Sequence, residues 1–310
     1  MNRVLVVGSA NTDLTVQARR LPRPNETVSD GQLMVSFGGK GANQALAAQL
    51  AGSEVALICK IGCDNFGNRL QEHLLASGLP EEGLLRDPEQ PAGMALIAVD
   101  GEGNNQILVA PGSNRSLSPQ NLAALEHLFR DADLLLVQLE IPLPTAEEAL
   151  SIARKQGIPT ILNPAPCYAL PESILSRVDI LTPNEHEAEG LTGIQVSSVE
   201  QSFQAAASLR DQGAGAVIVT LGRRGAVISS PEAENHLPAF EVQAVDSVAA
   251  GDAFNGALAA ALARNRSLEE AVRFACAAGA LCATQRGAQE ALPRQEEIDR
   301  FLAQPHRSSP

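Results

Sequence analysis

Short, predominantly apolar runs recur along this chain, and most are closed by a polar or glycine-rich cluster. Val4–Val7 stops at Gly8, and comparable runs follow at residues 55–59, 134–139, 160–162, 179–181 and 216–220. A strand with water on one face alternates apolar and polar residues. An unbroken run needs cover on both faces, as in a parallel sheet flanked by helices. Helical patterns fill several intervals, from Asn65 to Ala76, from Thr145 onward and from Val199 to Asp211. This order predicts an α/β fold with a mostly parallel central sheet. Aromatic residues are 3% of the chain and Trp is absent, so Ala, Leu, Val and Gly must carry the packing. That composition suits helices lying close on a sheet.

Two stretches break the alternation. Between Asn11 and Val35 there is no helical period, and Pro22 and Pro24 lie inside it. Thr15–Ala18 and Gln32–Ser36 read as exposed strands. Gly93–Val99 and Gln106–Val109 flank Asp-Gly-Glu-Gly-Asn-Asn, a hairpin signal. Segments of about 14–36 and 92–110 are therefore expected to form a small β-sheet lid. A second hairpin joins Gly225–Ser229 to Glu234–Leu237, and the C-terminal third is helical. With no repeat, low-complexity tract or linker, 1–310 is read as a single domain.

The 310 residues carry a net charge of −13, which argues against a general nucleic-acid or anionic-membrane surface. The five cysteines, Cys59, Cys63, Cys167, Cys276 and Cys282, form no CxxC pair. An odd number in a chain of this size implies free thiols in a reducing, cytoplasmic compartment. The apolar run at the N-terminus is too short for a signal peptide, and none reaches transmembrane length.

The ends of the strands hold the chemistry. Asn11 and Asp13 are placed just beyond the first strand, Gln138 and Glu140 at another, and Asn163-Pro-Ala-Pro166 at a third. Thr182-Pro-Asn184-Glu-His-Glu187 and Thr220-Leu221-Gly222-Arg223-Arg224-Gly225 close two more. Open α/β sheets bind ligands beyond the carboxyl ends of their strands. One crevice is expected there, carboxylate-rich where a hydroxylated substrate fits and glycine-rich where a nucleotide fits. Phe37-Gly-Gly39-Lys40-Gly-Ala-Asn43 opens a helix, so Lys40 and Asn43 can face one ligand. The alternative is a glycine-rich turn with a solvated lysine. Asp246-Ser-Val248-Ala249-Ala250-Gly251-Asp252 leads into an Ala/Leu helix whose free N–H groups favour an anion. Asp252 reads either as a helix cap or as a base that deprotonates a hydroxyl beside that anion site.

Gly38–Asn43 and Asp246–Gly256 together resemble the two signatures of the ribokinase family of sugar kinases. Asn163–Pro166, Thr182–Glu187 and Arg286-Gly-Ala-Gln289 match in order and spacing, so the resemblance spans essentially the whole chain. It implies a three-layer α/β/α fold with a β lid, and ATP-dependent phosphorylation of D-ribose at O5. A related pentose, deoxyribose or nucleoside kinase, or a non-catalytic sugar-binding regulator, stands as the alternative. By the same resemblance Asp252 is the base, and the backbone of Ala249, Ala250 and Gly251 is the anion hole. Asn11, Asp13, Gly39, Lys40, Asn43, Glu140 and Asp252 correspond to sugar contacts. Asn184, Thr220, Leu221, Gly222, Arg223, Gly225, Gly251 and Cys276 fall at nucleotide positions. Glu187 corresponds to the acidic residue that places Mg²⁺. Asp246, Val248, Cys282, Gln285, Gly287 and Ala291 correspond to a K⁺ site. Cys276 stands where relatives often carry His or Asn, and Ala291 lacks the hydroxyl common at the cation site. Arg223 and Arg224 are read as either phosphate contacts or a solvated pair, and Glu185 as solvent-facing. His186 and Tyr168 are assigned no role. The resemblance also implies a homodimer formed through the lid.

Overall fold

Val4, Leu5, Val6 and Val7 are all fully buried, and their side chains divide between two cores. Val4 and Val6 join one cluster, Leu5 and Val7 the other. Strand geometry sends successive side chains to opposite faces, so an unbroken apolar run supplies both cores at once. Each such side chain contributes roughly 1.5–3 kcal/mol by leaving water.

The computed structural model describes residues 2–304, so Met1 and residues 305–310 of the expected domain lie outside it. Its strands begin with β1 (Arg3–Val7), β2 (Asn11–Gln17), β3 (Gln32–Gly38), β4 (Glu54–Gly62) and β5 (Leu84–Asp87). They continue with β6 (Gly93–Val99), β7 (Asn105–Ala110), β8 (Leu134–Gln138) and β9 (Thr160–Asn163). The last are β10 (Ile180–Leu181), β11 (Ala216–Thr220), β12 (Ala226–Ser229) and β13 (Glu234–Leu237). The helices of the first half are α1 (Lys40–Leu50), α2 (Asn65–Ala76), α3 (Pro119–Ala124), α4 (Glu126–Arg130) and α5 (Leu143–Gln156). Those of the second half are α6 (Glu172–Leu175), α7 (Glu185–Thr192), α8 (Val199–Asp211), α9 (Ala250–Ala263), α10 (Leu268–Cys282) and α11 (Gln295–Leu302).

Among the described residues, nine strands form the central sheet in the order β13-β12-β11-β10-β9-β8-β1-β4-β5. All neighbours pair in parallel except the β11–β12 and β12–β13 hairpins. Helices α1, α9 and α10 cover one face, and α5 and α8 cover the other. The remaining strands make a separate sheet in the order β3-β2-β6-β7. Asn11 and Asp13, just beyond β1, belong to this smaller sheet. Asn11 pairs with Gly38 and Gly93, and Asp13 with Ser36 and Ala95. Among the described residues no helix is long and apolar enough to cross a membrane.

Close backbone contacts then position the crevice. A Cβ added at Gly41 would lie 2.5 Å from the backbone N of Ser9, so the first turn of α1 presses on the chain leaving β1. A Cβ at Gly256 would lie 2.4 Å from Ala47 Cβ and 2.6 Å from the carbonyl oxygen of Gln44. Helix α9 therefore packs on α1 nearly backbone to backbone, one turn beyond Asp252.

Candidate active site

Ala249 precedes α9 in the left-handed conformation, with φ 58°, which is costly for a residue bearing Cβ. Its geometry turns the chain sharply so that the helix starts facing the crevice. The Ala250 N–H donates to the Ser247 carbonyl at 3.3 Å. The N–H groups of Gly251 and Asp252 belong to the first helical turn, which has no internal acceptors for them, and they suit an outside anion. The Asp252 side chain does not cap the helix. Its carboxylate points inward, accepting from Asn43 Nδ2 and Gln44 Nε2, each at 2.9 Å.

The carboxylate-rich end forms where β2, β3 and the start of α1 meet. Glu140 Oε2 accepts from the Lys40 backbone N–H at 3.0 Å and from Ser9 Oγ at 2.5 Å. Asn11 is buried, and its Oδ1 accepts from Asn114 Nδ2 at 2.7 Å. Asn114 also takes the Ala10 N–H at 2.9 Å, pinning the start of β2. Desolvation would weaken the Lys40 ammonium, but Asp252, Glu140 and Glu187 together outweigh it and hold the side chain more basic than usual. Asp13 crosses toward Gly38, where an added Cβ would lie 2.2 Å from its Oδ2. Burial first, then the charges of Glu140 and Glu290, push its carboxyl up to about 6.

At the other end, Asn184 and Glu187 form a reciprocal cap at the start of α7. Glu187 accepts from the Asn184 N–H at 2.8 Å and from its Nδ2 at 2.9 Å, and returns its own N–H to Asn184 Oδ1 at 2.9 Å. Burial raises the Glu187 carboxyl and Asp252 adds to the effect, against the lowering influence of the Asn184 N–H and Lys40. Asn184 bridges to Thr220, which sets this turn beside the loop from Leu221 to Gly225. Leu221 anchors that loop, being buried and donating its N–H to the Gly225 carbonyl at 2.8 Å. Arg224 is half-buried. It pairs with Glu185 and reaches the Ser197 carbonyl, and the Glu185 side chain stays 35% exposed while paired. Cys276 packs against the core, and burial pushes its thiol up to about 12, so it stays neutral.

Asp246 joins the segment before α9 to the one after α10. Its two oxygens accept from the N–H groups of Val248 at 3.0 Å and Gly287 at 3.2 Å. Cys282 Sγ approaches the Val248 carbonyl at 3.7 Å, and Gln285 closes a turn on Cys282. Ala291 is buried nearby in sequence and offers only its backbone.

The sequence assigns no role to several residues that hold these groups in place. Gln44 Nε2 reaches Asn163 Oδ1 at 3.0 Å as well as Asp252, and Gln44 Oε1 accepts from Gln138 at 2.7 Å. Asn255 links Thr182 (2.6 Å) to the Gly251 carbonyl (2.8 Å). Gln289 Nε2 donates to Asn43 Oδ1 at 3.0 Å, while its Oε1 meets His73 Nε2 at 2.7 Å. The available signal was polar amides at positions that the flanking apolar pattern marks as buried.

The family model for pfkB carbohydrate kinases matches residues 1–295. The chain belongs to the pfkB family of carbohydrate kinases. Within this family it is 39% identical over 297 residues to a ribokinase of Haemophilus influenzae, covering 96% of this chain and 97% of that one. It is 35% identical over 301 residues to a deoxyribokinase of Salmonella typhi, covering 97% and 98%. The structure of an Arabidopsis thaliana ribokinase complexed with ribose and ATP superposes with a TM-score of 0.91 at 32% identity, covering 97% of this chain and 99% of that one.

Asp13 supplies a stability test. Its raised value favours the protonated form in the folded protein, a contribution present below about pH 4 and lost as pH rises through about 6. At neutral pH the ionised carboxylate therefore costs roughly 2–3 kcal/mol, at about 1.4 kcal/mol per pH unit. Asp13→Asn is expected to stabilise the ligand-free protein by that order at pH 7.5 and to have no effect near pH 4, as read by denaturant unfolding. A pH-independent difference would contradict the account.

Proposed function

We propose that this protein transfers the γ-phosphoryl group of ATP to O5 of D-ribose, with Asp252 as the base. The observation that carries the reading is a carboxylate at the head of α9, turned inward onto Asn43 and Gln44 beside the first-turn N–H groups. Asn11, Asp13, Lys40, Asn43 and Glu140, with the backbone of Gly39, bind the sugar hydroxyls, since carboxylates and amides can each take paired hydrogen bonds. Asp252 takes the proton of the primary hydroxyl, O5 attacks the γ-phosphorus and ADP leaves. The free N–H groups between Ala249 and Asp252, the Ala250 N–H being taken by the Ser247 carbonyl, hold charge on the transferring group. Phosphoryl transfer asks mainly for positioning and charge stabilisation, which these groups provide.

ATP lies along Asn184, Thr220 to Gly225 and Cys276. Cys276 offers the adenine packing rather than a charge. Arg224 is committed elsewhere, which leaves Arg223 as the arginine of the pair able to reach phosphate. Mg²⁺ fits the charge balance, because Glu187, Asp252 and Glu140 face Lys40 before any phosphate arrives. Bound near Asn184 and Glu187, mostly through water, it would neutralise phosphate charge. K⁺ fits the clip that Asp246 makes across Val248 and Gly287, with Cys282, Gln285 and Ala291 offering carbonyl oxygens rather than side-chain charge. The free cysteines suit a cytoplasmic setting.

The small sheet closes over the sugar and excludes water. The sheet face opposite Asp13 exposes Val16, Leu33, Val35, Leu96 and Leu108, an apolar patch of the kind that marks an interface. A homodimer pairs these faces. Sedimentation is expected to give a dimer that Leu108→Glu converts to monomer, and a monomeric wild type would contradict this. For the reaction itself, ADP release is measured with ribose, deoxyribose, fructose and adenosine, with and without K⁺. Ribose-dependent turnover is expected to fall by roughly 10²–10⁴-fold in Asp252→Asn. Preference for deoxyribose would replace the substrate, and ribose binding without turnover would favour a non-catalytic regulator.

A further inference from the structure

Each oxygen of Asp252 receives a hydrogen bond from a chain of side chains, and both chains run in one direction. An ionised carboxylate only accepts, so Gln44 must turn Nε2 toward Oδ1. That leaves Gln44 Oε1 facing Gln138, whose Nε2 donates to it at 2.7 Å. On the second oxygen, Asn43 Nδ2 donates to Oδ2, and Asn43 Oδ1 accepts from Gln289 Nε2. Gln289 Oε1 is then left as an acceptor, so His73 Nε2 carries the hydrogen. Donors aligned head to tail polarise one another in a low-dielectric interior.

The Gln138 end reveals what this alignment costs. Gln138 is fully buried, and its Oε1 has no hydrogen-bond partner. It lies over Gly8, where an added Cβ would be only 2.0 Å away. Turning the amide over would set its oxygen against Gln44 Oε1, so the polarity imposed by Asp252 leaves that acceptor unmade. A buried orphan in an otherwise satisfied network requires a reason. The orientation of the base supplies one. Gln44 is also fully buried, and its second hydrogen bond to Asn163 ties the amide to the end of β9.

We propose that Gln44, backed by Gln138, is a positioning residue for phosphoryl transfer, fixing the rotation of the Asp252 carboxylate so that a free lone pair meets the acceptor hydroxyl. The inference rests on Asp252 being the base. Gln44→Met keeps the side-chain length and removes the donor. Its kcat on ribose is expected to fall roughly 10- to 100-fold, the scale of a small misplacement at a reacting centre. Ribose affinity by calorimetry and KM for ATP remain unchanged. In an Asp252→Asn background the same substitution has no further effect in single-turnover measurements, because the group it orients is gone. Gln138→Met gives a smaller loss in the same direction. A wild-type kcat in Gln44→Met, or equal losses in both backgrounds with a lowered Tm, overturns the proposal. Should Gln44→Met not fold, Gln138→Met decides, and an unchanged kcat there overturns it. If the wild type phosphorylates no sugar on the panel, the functional reading fails on its own. The Gln44 side-chain amide ¹⁵N–¹H signal then tests the contact directly. It is expected to move between wild type and Asp252→Asn, and an unmoved signal overturns the contact.

Discussion

The approach of α9 to α1 is the contact on which the site depends. Gly256 and Ala47 meet where a side chain at 256 would collide with the backbone of α1. That closeness brings Asn43 and Gln44, from one end of the chain, onto Asp252, more than two hundred residues away in sequence. Small residues here are not only core filler. They set an interhelical distance at which amides on one helix can hydrogen-bond a carboxylate on the other.

The same packing makes the site electrostatically tense. Glu140, Glu187 and Asp252 surround Lys40 in a partly dry crevice, with Asp13 next to Glu140, and burial raises both Asp13 and Glu187. A folded protein gains nothing from such crowding by itself, because desolvated carboxylates oppose folding. In the proposed reaction the arrangement becomes favourable when hydroxyl donors and cations arrive. Stability is thus traded for a site shaped to its ligands, and the orphaned oxygen of Gln138 belongs to the same trade.

Much of this was legible in the sequence. Unbroken apolar runs announced strands covered on both faces because no other environment tolerates them. The glycine stretches announced close approach, and Gly41 and Gly256 make it. The register around β2 was not legible. Asn11 and Asp13 stand just beyond β1 in the sequence, and only pairing with β3 and β6 reveals them as the start of a strand in the small sheet. Nor were Gln44, Asn114 and Gln289, since an isolated amide carries no mark of its partner. Long-range contacts decide such roles: Asn114 reaches Asn11, and Gln289 reaches Asn43. Arg224 is a further case, a basic residue beside the loop whose charge pairs with Glu185.

The central claim is that α9 presents a base and an anion site to one sugar hydroxyl. It is tested most directly by a crystal structure with ribose and a non-hydrolysable ATP analogue. The account predicts O5 within about 2.6–3.2 Å of an Asp252 oxygen, the reach of a general base. It further predicts the γ-phosphoryl oxygens against the N–H groups at the head of α9. A sugar bound with another hydroxyl toward Asp252, or a phosphate chain ending away from α9, would contradict it.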